Sequence, residues 1–268
     1  MRDDQVETLA AQLLAARRDR RIMDVAQVWA GPAGRYGLAD AYRVQAAVTR
    51  ARLAAGERVV GWKLGYTSAA MRRQMGVDAP NHGPLTDAML LASGARVPAA
   101  ALQPRAEPEV ALRFAADVPS AAGVEEVLAA AEGAYACLEV VDSVWSGYRF
   151  RLEDNTADGS SAAWVVLGGR LPAMPLDMVE VELFRNGGRC GRATGAAASG
   201  HPAAGVAWLA GALADRGQRV GAGQVVITGG LTAAVPLEQG DEVTARFSGG
   251  VTVSVRRDRR AGRWLLDR

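Results

Sequence analysis

Near the start of the chain the apolar residues Val6, Leu9, Leu13 and Leu14 recur at helical spacing, which predicts an amphipathic helix. Asp3 and Asp4 at its beginning and an arginine cluster at its end complement the helix dipole. A second helix is expected from Leu38 or Ala39 to about Leu53, ending before Gly56. The pattern then becomes extended at "RVVGWKLGY", with a short helix expected at "SAAMRRQMGV". From about Val97 onward strands alternate with Gly and Pro punctuation, interrupted by helices at "GVEEVLAAAEGA" and "AAGVAWLAGALADRG". The segment "DEVTARFSGGVTVSVRR" reads as a β-hairpin, because alternating Val and Thr runs flank Ser-Gly-Gly. A helical first part ahead of a strand-rich remainder argues for an α+β fold over a doubly wound α/β sheet. The helical region is placed at residues 1–80 and the β-rich region at 81–268, as one integrated domain.

Within this pattern "PRAEPEVALRF" stands out. In an extended chain Glu107, Glu109, Ala111 and Arg113 share one face, and Pro108, Val110, Leu112 and Phe114 share the other. Two like charges on one face repel unless they meet water or a cation. A third carboxylate, Glu139, sits inside the apolar run "YACLEVVDSVW". Buried there, it needs a partner, which an arginine or a metal ion can supply. Three carboxylates make an all-oxygen ligand set suited to a hard divalent cation such as Mg²⁺ or Mn²⁺.

Composition sharpens the picture at one point. The chain of 268 residues has a formal charge of +2, and Lys63 is its only lysine. It lies at the end of an expected strand between glycines, where a solvated side chain and an acid/base or carboxylate-binding role are equally open. Mixed charges leave no footprint for nucleic acid or an anionic membrane. No apolar run is long enough for a span, so a cytoplasmic setting is expected. Cys137 and Cys190 lack zinc or redox spacing, although a disulfide stays open. "RLEDNTADGSSAAWVVLGG" reads as a polar loop holding Asn155, Asp158, Ser160 and Ser161, followed by a strand, and "VITGGLTAAVPLEQGD" as a strand and glycine turn ending at Thr232. Neither is a phosphate loop, and no hydrolase or zinc-peptidase motif occurs. His201, at the start of a helix whose next residue is Pro202, reads as structural.

Taken in order, "GWKLGYTSAAMRRQMGVDAPNHGPLTDAML", "PRAEPEVALRF", "LEVVDSVW", "EDNTADGSSAA", "ASGHPAAGVAWLAGALADRG" and "VVITGGLTAAVPLEQGD" resemble the 2-keto-4-pentenoate hydratase / 4-oxalocrotonate decarboxylase family of the fumarylacetoacetate hydrolase superfamily. The resemblance spans about residues 5 to 256. It implies a mixed β-sheet roll of the fumarylacetoacetate hydrolase C-terminal type. The implied activity is a Mg²⁺-dependent lyase for small 2-oxo or 2-hydroxy dienoic acids of catechol meta-cleavage. By motif position, Glu107, Glu109 and Glu139 take the metal-ligand role and Lys63 the active-site lysine role. Asn81 and His82, where hydratases of the family commonly carry an acid, become catalytic candidates. Arg105, Asp158, Ser161 and Thr232 become substrate-binding candidates. Loss of the acid inclines the reading to the decarboxylase, with the hydratase, a biosynthetic oxo-acid lyase and a noncatalytic assembly partner as alternatives. The resemblance also implies a homo-oligomer, which can associate with a pathway hydratase or decarboxylase.

Overall fold

The computed structural model describes residues 1–68, 72–73, 77, 79–98 and 101–258. The predicted N-terminal helices are α1 (Asp3–Arg18) and α3 (Leu38–Ala54), with a short α2 (Val25–Ala30) between them. Val6, Leu9 and Leu13 are buried as the stripe requires, and they pack with Val44, Ala47 and Trp145. The helix expected over residues 68–77 lies outside the described residues except for Ser68, Arg72, Arg73 and Val77.

The central sheet runs β2-β1-β10-β5-β6-β7-β3, with β11 paired to β5. Its strands are β1 (Val59–Gly65), β2 (Asn81–Thr86), β3 (Leu90–Ala92), β5 (Arg105–Phe114), β6 (Ala131–Val141), β7 (Ala162–Arg170), β10 (Val225–Ile227) and β11 (Val235–Pro236). The pairs β1/β10 and β3/β7 are parallel and the others antiparallel, so the sheet is mixed. β1 comes from the first eighty residues, so both parts of the chain contribute to this sheet.

The edge strands β2 and β3 are joined by only the 3₁₀ turn Asp87–Met89. The sheet therefore has to curl until its two edges meet, forming a roll. A second sheet, β4-β13-β12-β8-β9, comprises β4 (Ala95–Val97), β8 (Glu180–Arg185), β9 (Gly188–Thr194), β12 (Glu242–Phe247) and β13 (Thr252–Arg257). The β12/β13 pairing is the predicted hairpin.

This second sheet, α4 (Val124–Ala130) and α6 (Pro202–Ala214) cover the outer face of the roll. Trp62, Leu64, Val110, Leu112, Leu138 and Val166 pack there with Val206, Leu209, Val243 and Val253. Gly168 lets the layers touch: a β-carbon there would lie 2.9 Å from that of Val253. α4 stops at Ala130, short of the predicted extent, because "AEGA" already belongs to β6. The predicted polar loop after Arg151 begins as a helix, α5 (Leu152–Ala157), started by Asp154 accepting the Arg151 N–H at 3.0 Å.

Candidate metal centre and active site

Strand alternation and register assemble the site inside the roll. Glu107 lies directly opposite Glu139 across β5 and β6, and Glu109 opposite Cys137. Lys63 pairs with Ile227, which pairs with Ala111, so the lysine shares the face of the glutamates. One oxygen of each glutamate lies within 4.8 Å of the others. Glu109 and Glu139 are fully buried, and Glu107 is half-buried.

Lys63 is itself buried, with its Nζ 2.9 Å from Glu139 Oε2 and donating to the Ser160 carbonyl at 3.0 Å. Burial alone would lower its pKa, but Glu139, Glu109 and Glu107 together hold it above the ordinary lysine value. Burial, then Glu139, pushes the Glu107 carboxyl up to about 7. Burial, Glu139 and Glu107 push Glu109 well above the usual range. Three acids against one ammonium leave the cluster short of positive charge.

Two glycines make room for it. Gly229, at φ +104°, donates its N–H to Glu109 Oε2 at 2.7 Å. A β-carbon on Gly230 would fall 2.3 Å from Glu107 Oε2. The glycine turn thus serves the carboxylates themselves. Glu109 Oε1 and Glu139 Oε1 are buried and accept no hydrogen bond among the described residues, and Glu139 Oε2 has the Lys63 ammonium alone beside it there. Such orphaned acceptors, on carboxylates facing one point, fit a hard divalent cation held by Glu107, Glu109 and Glu139.

The other sequence candidates divide by strand face. Asn81 pairs with Gly65 and so faces inward with Lys63. Its Nδ2 donates to Asn155 Oδ1 at 3.0 Å and to Thr156 Oγ1 at 2.9 Å, and its Oδ1 accepts from Ser160 Oγ at 3.0 Å. His82 is the neighbouring strand residue and therefore points the opposite way, correcting its catalytic assignment. It stacks on Tyr42 at 4.6 Å and meets Trp62 edge-on at 5.7 Å. Burial, then Arg216, lowers its pKa to about 3, so the ring is neutral.

Asp158 is also displaced from the substrate role. Its carboxylate meets Arg17 at 2.7 Å and accepts the Val144 N–H at 3.3 Å, fastening α1 to the end of α5. Thr232 does not turn toward the glutamates: it donates to the Ala233 carbonyl at 3.2 Å, and it closely flanks Gly191 of β9. Ser161 Oγ accepts from Asn155 Nδ2 at 3.0 Å. Arg105 shares the face of Glu107 on β5, and its guanidinium lies 4.1 Å over the Tyr148 ring, with no ion pair among the described residues. His201 caps α6 by accepting the Ala203 N–H on Nδ1 at 3.1 Å. Both cysteines are free. The role of the Ser160 carbonyl escaped the sequence reading, because nothing in "DGSS" announces which backbone oxygen turns inward.

A buried three-carboxylate cluster with one lysine, set inside a rolled mixed sheet, defines a metal-site protein of the fumarylacetoacetate hydrolase fold. No family profile matches the chain. It is 38% identical over 223 residues to the 4-oxalocrotonate decarboxylase of Pseudomonas sp. strain CF600, covering 81% of this chain and 84% of that protein. It is also 38% identical over 224 residues to the 2-hydroxyhexa-2,4-dienoate hydratase of Comamonas testosteroni, with the same coverages. The solved 4-oxalocrotonate decarboxylase of Pseudomonas putida G7, complexed with magnesium and adipate, superposes with a TM-score of 0.89 at 32% identity, over 96% of this chain and 98% of that one. The chain belongs to the 2-keto-4-pentenoate hydratase / 4-oxalocrotonate decarboxylase family.

Proposed function

We propose that this protein is a Mg²⁺-dependent lyase that decarboxylates 4-oxalocrotonate, a six-carbon 2-oxo dicarboxylic acid. The observation that carries the reading is the set of orphaned acceptors on Glu109 and Glu139 beside the buried Lys63. Glu107, Glu109 and Glu139 hold the ion, and Mn²⁺ has the same preference for oxygen donors. When bound, the cation supplies positive charge against the 2-oxo group, where negative charge develops as CO₂ leaves. In that step the bond between the distal carboxyl carbon and the chain breaks. Its electron pair moves through the conjugated system to the 2-oxo oxygen, and the resulting dienolate takes up a proton.

Lys63 is the ammonium inside the roll and delivers that proton. Arg105, on the same face and without an ion pair among the described residues, holds a substrate carboxylate. The hydroxyl of Ser161, which accepts from Asn155 and has no acceptor of its own among the described residues, contributes a donor. The buried apolar lining of Leu85, Ala111, Val165 and Ile227 keeps water out. A six-carbon dicarboxylate, adipate, occupies the similar decarboxylase structure, which supports a substrate with two carboxylates. The hydratase reading, water addition to 2-hydroxypenta-2,4-dienoate, is favoured by the equal identity to the Comamonas hydratase. Asn81 weighs against it, since an amide cannot exchange protons as a second acid or base.

The reading includes a cytoplasmic setting, in keeping with the free thiols. No helix among the described residues is long and apolar enough to cross a membrane. It also includes a homo-oligomer, for which exposed Ile22 and Leu53 offer apolar contacts, and a partnership with a pathway hydratase.

Mass spectrometry of products tests the proposal. With Mg²⁺, 4-oxalocrotonate is expected to yield a product lighter by CO₂, and Glu107→Gln to abolish the conversion. A water adduct of 2-hydroxypenta-2,4-dienoate, with 4-oxalocrotonate unchanged, would establish the hydratase instead. Normal turnover by Glu107→Gln would remove the metal assignment.

A further inference from the structure

The loop that carries the Ser160 carbonyl has an unusual backbone. Gly159, Ser160 and Ser161 lie consecutively at φ +70°, +57° and +57°, a left-handed run in which two residues have side chains. Such a run persists only where its surroundings hold it. Here the Ser160 N–H donates to the Asn155 carbonyl at 2.8 Å, and Ser160 Oγ donates to Asn81 Oδ1 at 3.0 Å. Asn81 is in turn fixed through both hydrogens of its amide, to Asn155 and Thr156. Every member of this buried network is uncharged.

Two glycines of neighbouring strands clear the space. A β-carbon on Gly65 would lie 2.2 Å from Asn81 Oδ1 and 2.5 Å from Ser160 Oγ, and one on Gly83 would lie 2.4 Å from the Gly159 carbonyl. What the arrangement delivers is one carbonyl oxygen, which accepts from Lys63 Nζ at 3.0 Å.

We infer that Asn81 is a positioning residue for Lys63: it pins Ser160 in the left-handed conformation, and the Ser160 carbonyl then aims the lysine ammonium at the reacting centre. The inference rests on the reading of Lys63 as the proton donor. It gives Asn81 a role in the reaction without contact with substrate or exchange of a proton. The commitment of its amide supports this, because both N–H groups already donate to protein acceptors and its oxygen accepts from Ser160.

The test uses the full-length, Mg²⁺-loaded protein with 4-oxalocrotonate, comparing Asn81→Ala, Ser160→Ala and Lys63→Met. Asn81→Ala and Ser160→Ala are each expected to lower kcat tenfold or more. KM and the Mg²⁺ affinity, measured by titration, stay within twofold of wild type. Adding Asn81→Ala to Lys63→Met lowers the residual turnover no further, which a merely structural role would not produce. Ser160→Ala removes a single oxygen, so it carries the test if Asn81→Ala does not fold. A kcat within twofold of wild type in Ser160→Ala would overturn the inference, as would a further tenfold loss on adding Asn81→Ala to Lys63→Met. Wild-type turnover by Lys63→Met would overturn the reading beneath it as well, whereas a defective Lys63→Met beside normal Asn81 and Ser160 variants overturns the inference alone.

Discussion

Cys137 and Cys190 are the same residue type in opposite circumstances. Cys137 faces Glu109 across the strand pair and is fully buried, while Cys190 is exposed on β9. Burial, then the charges of Glu109 and Glu139, pushes the Cys137 thiol well above its ordinary pKa. Since the thiolate is the reactive form, Cys137 is doubly protected. The native protein is therefore expected to consume one equivalent of an aromatic disulfide reagent at pH 8 and a second only after denaturation. In Cys190→Ser the native uptake disappears. Two equivalents taken up rapidly by the native wild type would show that the roll admits reagent to its interior. At this scale much of the site was legible: the E-x-E spacing, the lone lysine and the isolated Glu139 each point to chemistry before any fold is known. His82 was not, because "NHGPLT" with its Gly and Pro does not read as a strand. Once it is one, alternation forbids Asn81 and His82 from entering the same interior.

Among the elements, the seam between α1 and α5 carries its own titration. Asp158 ends α5 and meets Arg17 of α1. Burial raises its carboxyl to about 6 despite the opposing pull of Arg17. The folded pKa thus lies above the ordinary aspartate value of 3.8, so the folded state binds the proton more tightly than the unfolded chain. The stability associated with this group is fully present below about pH 4, is lost as pH rises through about 6, and stays lost above it. The shift corresponds to about 3 kcal/mol at most. Asp158→Asn removes the ionisation, so urea unfolding should move the stability difference in favour of the variant between pH 4 and pH 7, and leave it flat above. A difference that does not vary with pH, or varies the other way, would contradict this account. The seam also shows why this part of the fold was hard to read. α5 has six residues, too few for a helical period to emerge from "LEDNTA", and Asp158 resembles any turn aspartate until α1 is laid against it. Longer elements with a clear period, α1, α3 and the β12/β13 hairpin, were legible because their own burial pattern defines them.

For the whole molecule, the interior of the roll is where the fold and the cation depend on each other. Counting Lys63 against Glu107, Glu109 and Glu139, the fully ionised cluster sums to −2, which one divalent cation neutralises. The strands that carry these charges, β1, β5 and β6, are interior strands of the central sheet, whose outer face packs against the second sheet. Repulsion within the cluster is therefore a cost to the entire fold when no cation is bound, and binding stabilises the folded state by mass action. At a hundredfold excess over Kd this is about 2.7 kcal/mol, or roughly a 5 °C rise in Tm for a chain of this size. Glu109→Gln separates the two effects. Its amide oxygen can still accept the Gly229 N–H, while one of the three negative charges is gone. The metal-free variant should melt above metal-free wild type, by on the order of 1 kcal/mol, and Mg²⁺ should no longer shift its Tm. Scanning calorimetry with and without Mg²⁺ measures both. A variant that melts lower than wild type without metal would mean that Glu109 is held by a favourable contact within the protein, and one that keeps the full Mg²⁺ shift would mean that the ion does not need this carboxylate.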